Sequence, residues 1–181
     1  SGVSGARSIV SFNYYTNDMS TVNEGVEVVG SWDMDWDNGG NTAFNASWAY
    51  QKQELTDFTP GLLTRANVAD LEDGIPRNRI NLRTTHSLMD WRFTLQYFSV
   101  PSSSDPSRDY WVGDKTIFSG EIAYTYNDSY TFILGADNLF DTMPEKVRDV
   151  DFFPYSSNEY LTSGAFSPNG RFVYGRVQMN F

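Results

Sequence analysis

Apolar and polar residues alternate along most of this chain in segments of about ten residues, the length with which a tilted β-strand spans a bilayer. Eight such segments can be read. The first covers 7–16, with Val10, Phe12 and Tyr14 on one side, and Asn17-Asp18-Met19-Ser20 reads as its turn. The second, 25–36, sets Val26, Val28, Gly30, Trp32, Met34 and Trp36 against Glu27, Val29, Ser31, Asp33 and Asp35. Asp37-Asn38-Gly39-Gly40 supplies a tight turn, because Asn-Gly tolerates positive φ. The third, 42–53, places Phe44, Ala46, Trp48 and Tyr50 opposite Asn45, Ser47, Ala49 and Gln51.

The fourth, 77–88, alternates Ile80, Leu82 and Thr84 with Arg79, Asn81 and Arg83. The fifth starts after a turn at Met89-Asp90 and sets Trp91, Phe93, Leu95 and Tyr97 against Arg92, Thr94 and Gln96. In the sixth, 115–126, Phe118, Gly120, Ile122, Tyr124 and Tyr126 oppose Ser119, Glu121, Ala123 and Thr125. After a turn at 127–129, the seventh begins at Tyr130. The eighth, 171–181, sets Val173, Val177, Met179 and Phe181 against Tyr174, Arg176, Gln178 and Asn180.

Short connections (37–40, 89–90, 127–129) alternate with long ones (54–75, 101–112, 142–169). An outer-membrane barrel has this asymmetry, with short periplasmic turns and long external loops. Aromatic residues gather near strand ends (Trp32, Trp36, Trp91, Tyr124, Tyr126, Tyr130), as interfacial girdles require. The polar face carries charge in mid-strand, which suits a wet lumen. A soluble sandwich also alternates, but its strands are usually only about 5–6 residues long. The pattern therefore predicts an all-β chain of about eight strands in an antiparallel up-and-down transmembrane β-barrel.

Composition agrees with that reading. The aromatic load is high, with 13 Phe, 11 Tyr and 5 Trp. The net charge of −10 argues against nucleic acid, which wants a basic stripe. With no Cys, there is no disulfide framework and no thiolate metal site. No apolar run is long enough for a transmembrane helix, and the start has neither a basic nor an apolar signal region. An exported form of this chain is expected to be a mature or internal piece.

Few residue constellations point to chemistry. Asp33-x-Asp35-x-Asp37 resembles the opening of a calcium loop, but Asn38 and Phe44 stand where that loop wants Gly and a bidentate Glu. His86, the one histidine, falls on the apolar face near a strand end without catalytic or metal partners in sequence. Asn45-Ala46-Ser47 and Asn127-Asp128-Ser129 match the glycosylation pattern but fall in a strand and a turn. There is no phosphate loop, nucleophile elbow or zinc-protease helix, so no enzyme activity and no cofactor are expected. The lumen-facing charges are Glu27, Arg79, Arg83, Arg92, Glu121, Asp137 and Arg176, read as an ion-paired wall. In the long loops, Trp111, Phe152, Phe153, Tyr155, Tyr160 and Phe166 are candidates for ligand contact at the outer mouth, or for packing between loops.

The end of the chain carries a motif. Gly135, Asn138, Leu139, Phe140, Asp141 and Pro144 are followed by a long loop, then Gly170-Arg171, then a strand stopping on Phe181. This order and spacing resemble the end of TonB-dependent outer-membrane receptors. Asn23-Glu24-Gly25-Val26-Glu27 and Gly74-Ile75-Pro76-Arg77-Asn78-Arg79 add softer matches. The resemblance covers the last third of the chain closely and the rest in rhythm. It implies import of a scarce solute, such as a ferric siderophore, across the outer membrane of a Gram-negative bacterium.

The resemblance also implies partners: outer-membrane lipid, the remaining strands of a barrel of about 22, a plug domain, and the TonB system reached through a TonB box. Residues 1–181 contain neither plug nor box and are expected to be the carboxy-terminal barrel segment. Phe181 resembles the terminal aromatic read by the assembly machinery, although Gly175 lies one residue earlier than the usual pattern. A stand-alone eight-stranded structural or adhesive barrel is the other reading, and a small-barrel enzyme is a third.

Overall fold

The computed structural model describes residues 19–59, 61–74, 76–101, 103–105, 110–146, 160 and 169–180. The strand predicted over 7–16 lies outside them. Among the described residues, nine strands and one helix follow in order: β1 (Met19–Asp35), β2 (Asn41–Phe58), α1 (Arg65–Asp73), β3 (Asn78–Leu88), β4 (Trp91–Val100), β5 (Ser103–Asp105), β6 (Tyr110–Val112), β7 (Lys115–Tyr126), β8 (Tyr130–Asp137) and β9 (Phe172–Met179). Seven strands form one antiparallel up-and-down sheet in the order β1-β2-β3-β4-β7-β8-β9; β5 and β6 pair separately. The sheet is not closed among the described residues, because β1 and β9 are its two edges.

Local chemistry sets the short turns. Asn127 and Asp128 both take positive φ (49° and 54°) in the three-residue connection between Tyr126 and Tyr130, and the Ser129 amide donates to the Tyr126 carbonyl at 3.2 Å. Asn38 Oδ1 accepts from the Gly40 amide at 3.0 Å, and Gly39 adopts φ 78°. Since consecutive strands are antiparallel, these turns and the one at Met89-Asp90 lie at one end of the sheet. The three long connections leave from and return to the strand ends at the other.

The ladder registers carry one face unbroken across the sheet. Trp32 opposes Phe44 and Val28 opposes Trp48; Leu82 pairs with Ala46 and, on its other side, with Tyr97. Tyr97 opposes Phe118 and Phe93 opposes Ile122. Ile122 then pairs with Leu134, and Phe132 with Val177. Directly opposed residues share a face, so the alternation in sequence has the phase of the sheet on these seven strands. This face stays open: Trp32 is 63 % exposed, Leu95 51 % and Leu134 62 %. Among the described strands of the sheet the buried apolar side chains are Ala123 and Ile133, and both belong to the opposite face. Hydrogen-bonded ladders, rather than a two-sided core, hold this architecture together.

Four expectations need correction. Met19 and Ser20, read as turn, already belong to β1, which pairs with β2 as far as Met19–Phe58. That pairing also extends β2 five residues beyond its expected end at Gln53, because β1 supplies a ladder that outweighs the charges at Glu54 and Asp57. The connection 54–75 contains α1, capped by Thr64, whose Oγ1 accepts from the Asn67 amide at 3.2 Å. The connection 101–112 contains the β5–β6 hairpin.

Candidate functional site

The seven charged residues assigned to the polar side all fall on one face. Glu27 opposes Ala49, which opposes Arg79. Arg83 opposes Gln96, which opposes Ser119. Arg92 opposes Ala123; Glu121 opposes Gly135; Arg176 opposes Ile133; Asp137 opposes Phe172.

Glu121 is the hub. Its Oε2 accepts from Arg176 Nη2 and from the Tyr174 hydroxyl, each at 3.2 Å, while Arg92 Nη2 stands 3.7 Å from Oε1. The Glu121 side chain is 19 % exposed and its arginines 47 % and 59 %. Solvent screening on the arginine side limits each ion pair to about 0–1 kcal/mol. Ala123 and Ile133, both buried, occupy the ladder row between Arg92 and Arg176. Arg83 lines a small polar recess of about 160 Å³ with Thr94, Gln96, Ser119, Glu121, Asp137 and Tyr174. Neighbouring polar side chains tie to one another: Gln96 Nε2 donates to Asn81 Oδ1 (3.1 Å) and Arg79 Nη2 to Gln51 Oε1 (3.2 Å). The surface is a hydrogen-bonding wall.

At the long-loop end, the terminal motif folds into a clasp at the root of the longest loop. Asn138 is 7 % exposed and adopts φ 52°, a conformation Asn tolerates better than most residues. Its Nδ2 donates to the Thr142 carbonyl and its Oδ1 accepts from the Thr142 amide, both at 2.8 Å. Leu139 leans toward Gly120, where a Cβ would meet Leu139 Cδ1 at 3.2 Å. Phe140, 72 % exposed, meets Phe118 edge to face on the apolar side, with centroids 5.4 Å apart.

Asp141 reaches across the loop. Its Oδ1 accepts from the Arg171 amide at 2.7 Å, and a Cβ on Gly170 (φ 67°) would come within 2.6 Å of the same oxygen. Arg171 Nη1 in turn donates to the Leu139 carbonyl at 3.3 Å. The motif is thus one contact set joining the end of β8 to the start of β9.

The other candidates divide. Trp111 is a residue of β6. Tyr160 bridges Lys146 in antiparallel fashion, with the Lys146 ammonium 5.4 Å from its ring centroid. Phe152, Phe153, Tyr155, Phe166 and Phe181 lie outside the described residues. His86 is on the apolar face, where its Nδ1 is 2.8 Å from Thr42 Oγ1, which accepts from Trp36 Nε1 at 2.8 Å. Among the described residues, no group of three or more His, Asp or Glu could hold a metal ion. Two residues of the wall, Tyr174 and Gly135, were not singled out for it from sequence; their relation depends on a cross-strand register that the sequence does not print.

Comparison with protein-family models, with curated proteins and with solved structures finds no match to this chain.

Proposed function

We propose that this chain is the carboxy-terminal portion of the β-barrel of a TonB-dependent receptor, importing a scarce solute such as a ferric siderophore across a Gram-negative outer membrane. The observation that carries the reading is the apolar face, unbroken across seven strands and open throughout. In a soluble sandwich that face would be buried against a second sheet. In a bilayer it faces hydrocarbon, and the opposite charged face lines the lumen.

The height of the belt supports this. On β7 it runs from Phe118 to Tyr126, about 27 Å along the strand, or roughly 20 Å across the bilayer at a tilt of about 40°. On β2 the same face ends in Lys52 and Glu54, hydrogen-bonded to each other, with Glu24 opposite Lys52. At the other end sits the Trp36–Thr42–His86 chain beside Trp91 and Tyr124, whose ring centroids are 4.8 Å apart. Amphipathic rings with a polar tip suit a membrane–water boundary.

The edges of β1 and β9 bear backbone groups that a bilayer does not tolerate unpaired. In this reading they pair with the remaining strands of the parent barrel, and the lumen wall around Glu121 meets the plug domain that the TonB system acts on. The clasp supports a receptor-like ending, since it gives Asn138, Leu139, Phe140, Asp141, Gly170 and Arg171 structural tasks.

Heat-modifiable migration tests the reading. The full-length parent, refolded in detergent, should run as a compact species that shifts on boiling, whereas residues 1–181 alone should not. A compact, heat-modifiable barrel from residues 1–181 alone would replace this reading with a stand-alone eight-stranded barrel.

A further inference from the structure

In the middle of the apolar face, one ladder row reads Thr84, Leu95, Gly120, Ala136, Val173. Its small members, Gly120 and Ala136, floor a groove of about 470 Å³ between Leu95 and Val173, and Leu139 leans over the floor from the long-loop side. One row nearer the short turns, Phe93, Ile122 and Leu134 continue the lining, and His86, the cross-strand partner of Phe93, ends it. The row after that holds Trp91 and Tyr124.

The hydrogen bonds of Thr42 decide which nitrogen of His86 is left to donate. The Trp36 indole can only donate, so Thr42 Oγ1 accepts from it at 2.8 Å. Thr42 is 5 % exposed, and a buried hydroxyl proton without an acceptor is costly. His86 Nδ1, 2.8 Å from Thr42 Oγ1, is the acceptor in reach. With Nδ1 accepting, the ring proton sits on Nε2. Among the described residues, Thr42 is the hydrogen-bond partner of His86, and Nε2 has none.

We propose that the groove seats one acyl chain of a diacyl glycerophospholipid, whose ester carbonyl accepts from His86 Nε2. The inference rests on the membrane reading. In that reading the short turns face the periplasm, and the His86 end of the groove opens into the periplasmic leaflet, which is built of glycerophospholipid. The acyl ester lies just inside the headgroup level, and the rings of Trp91 and Tyr124 mark that level one row nearer the turns. The groove is of small-molecule size. An N–H facing hydrocarbon lacks an acceptor, and the ester is the first acceptor that such a lipid brings to this depth. The contact involves no charge, so the site reads the ester and the chain rather than the headgroup.

The test reconstitutes the full-length parent in bilayers with equal parts of diacyl phosphatidylethanolamine and its dialkyl ether analogue of the same chain length. Retained lipid is counted by native mass spectrometry. The ether lacks the carbonyl, so the diacyl lipid should be retained about fivefold over it, the worth of one hydrogen bond. His86→Phe keeps a ring without the donor and should bring the ratio to one. Ala136→Leu fills the floor of the groove and should lower retention of both lipids alike. The same ester preference should hold for a phosphatidylglycerol pair.

Equal retention of ester and ether lipid by the unmodified parent, an unchanged ratio in His86→Phe, unchanged retention in Ala136→Leu, or a preference that vanishes with the headgroup would overturn the site. Heat-modifiable migration of the same samples separates the two claims. A parent that never inserts overturns the membrane reading; one that inserts but retains the two lipids equally overturns the ester site alone.

Discussion

The ring of Tyr174 lies across Gly135: a Cβ on Gly135 would come within 2.4 Å of Tyr174 Cζ and 2.5 Å of its hydroxyl oxygen. The two residues are direct cross-strand partners on β8 and β9, and the hydroxyl carried over the glycine reaches Glu121. An aromatic ring covering a glycine in a neighbouring strand restores the packing that the missing side chain gives up.

Gly135→Ala is therefore expected to destabilise by about 1–3 kcal/mol, the usual range for overpacking. Combining it with Tyr174→Ala should recover part of that loss. Tyr174→Phe keeps the ring over the glycine and should cost only about 1 kcal/mol, the value of one hydrogen bond. Denaturant unfolding of the detergent-folded parent checks all three. Equal losses for Gly135→Ala with and without the Tyr174→Ala substitution would show that the ring is not the obstacle.

The clasp predicts an order of sensitivity. Asn138→Ala removes two side-chain hydrogen bonds from a buried position and leaves Ala at positive φ, for about 2–3 kcal/mol. Asn138→Gly keeps the backbone conformation and should cost less. Asp141→Ala frees an exposed amide that water can satisfy, for about 0.5–1.5 kcal/mol. Proteolysis rates of the loop between Asp141 and Arg171 should rise in the same order, and an inverted order would remove Asn138 from the centre of the clasp.

How much of this was legible in the sequence differs by element. The period-2 pattern placed β7 at 115–126 with the boundaries the structure gives it, and β3 within one residue. Both carry dense alternation between clear turn residues. The end of β2 was hidden because the residues from Glu54 on read as loop, and only the facing ladder of β1 makes them strand. Helix α1 was hidden inside a stretch read as one loop, although Thr64 as cap and Gly74 after the last turn were signals available for it. For the site, the phase of alternation placed all seven charges on one face. The link from Asp141 to Arg171 spans 30 residues, so sequence offered its pieces without the contact between them.

Neighbours on opposite faces should respond oppositely to the same substitution. Leu95→Arg should destabilise membrane insertion by about 2–4 kcal/mol if Leu95 lies near the midplane, whereas Gln96→Arg, on the charged face, should be close to neutral. Unfolding measured in lipid vesicles separates them, and similar losses at both positions would contradict the assignment of faces.

Deleting Phe181 from the full-length parent distinguishes an assembly signal from an interfacial anchor. A lost anchor costs about 1.5–3 kcal/mol and leaves most molecules inserted. A lost signal lowers outer-membrane abundance in cells while refolding into detergent continues. The receptor reading expects the second pattern; unchanged abundance would remove the signal role.

In the proposed reading the apolar face meets lipid and the charged face meets water. Nitroxide labels placed one at a time on residues 91 to 98 of the full-length parent, in bilayers, test it most directly. Accessibility to dissolved oxygen and to a water-soluble nickel complex should alternate: oxygen should dominate at Trp91, Phe93, Leu95 and Tyr97, and the nickel complex at Arg92, Thr94 and Gln96. Odd positions shielded from both reagents, as in a core between two sheets, would contradict the account.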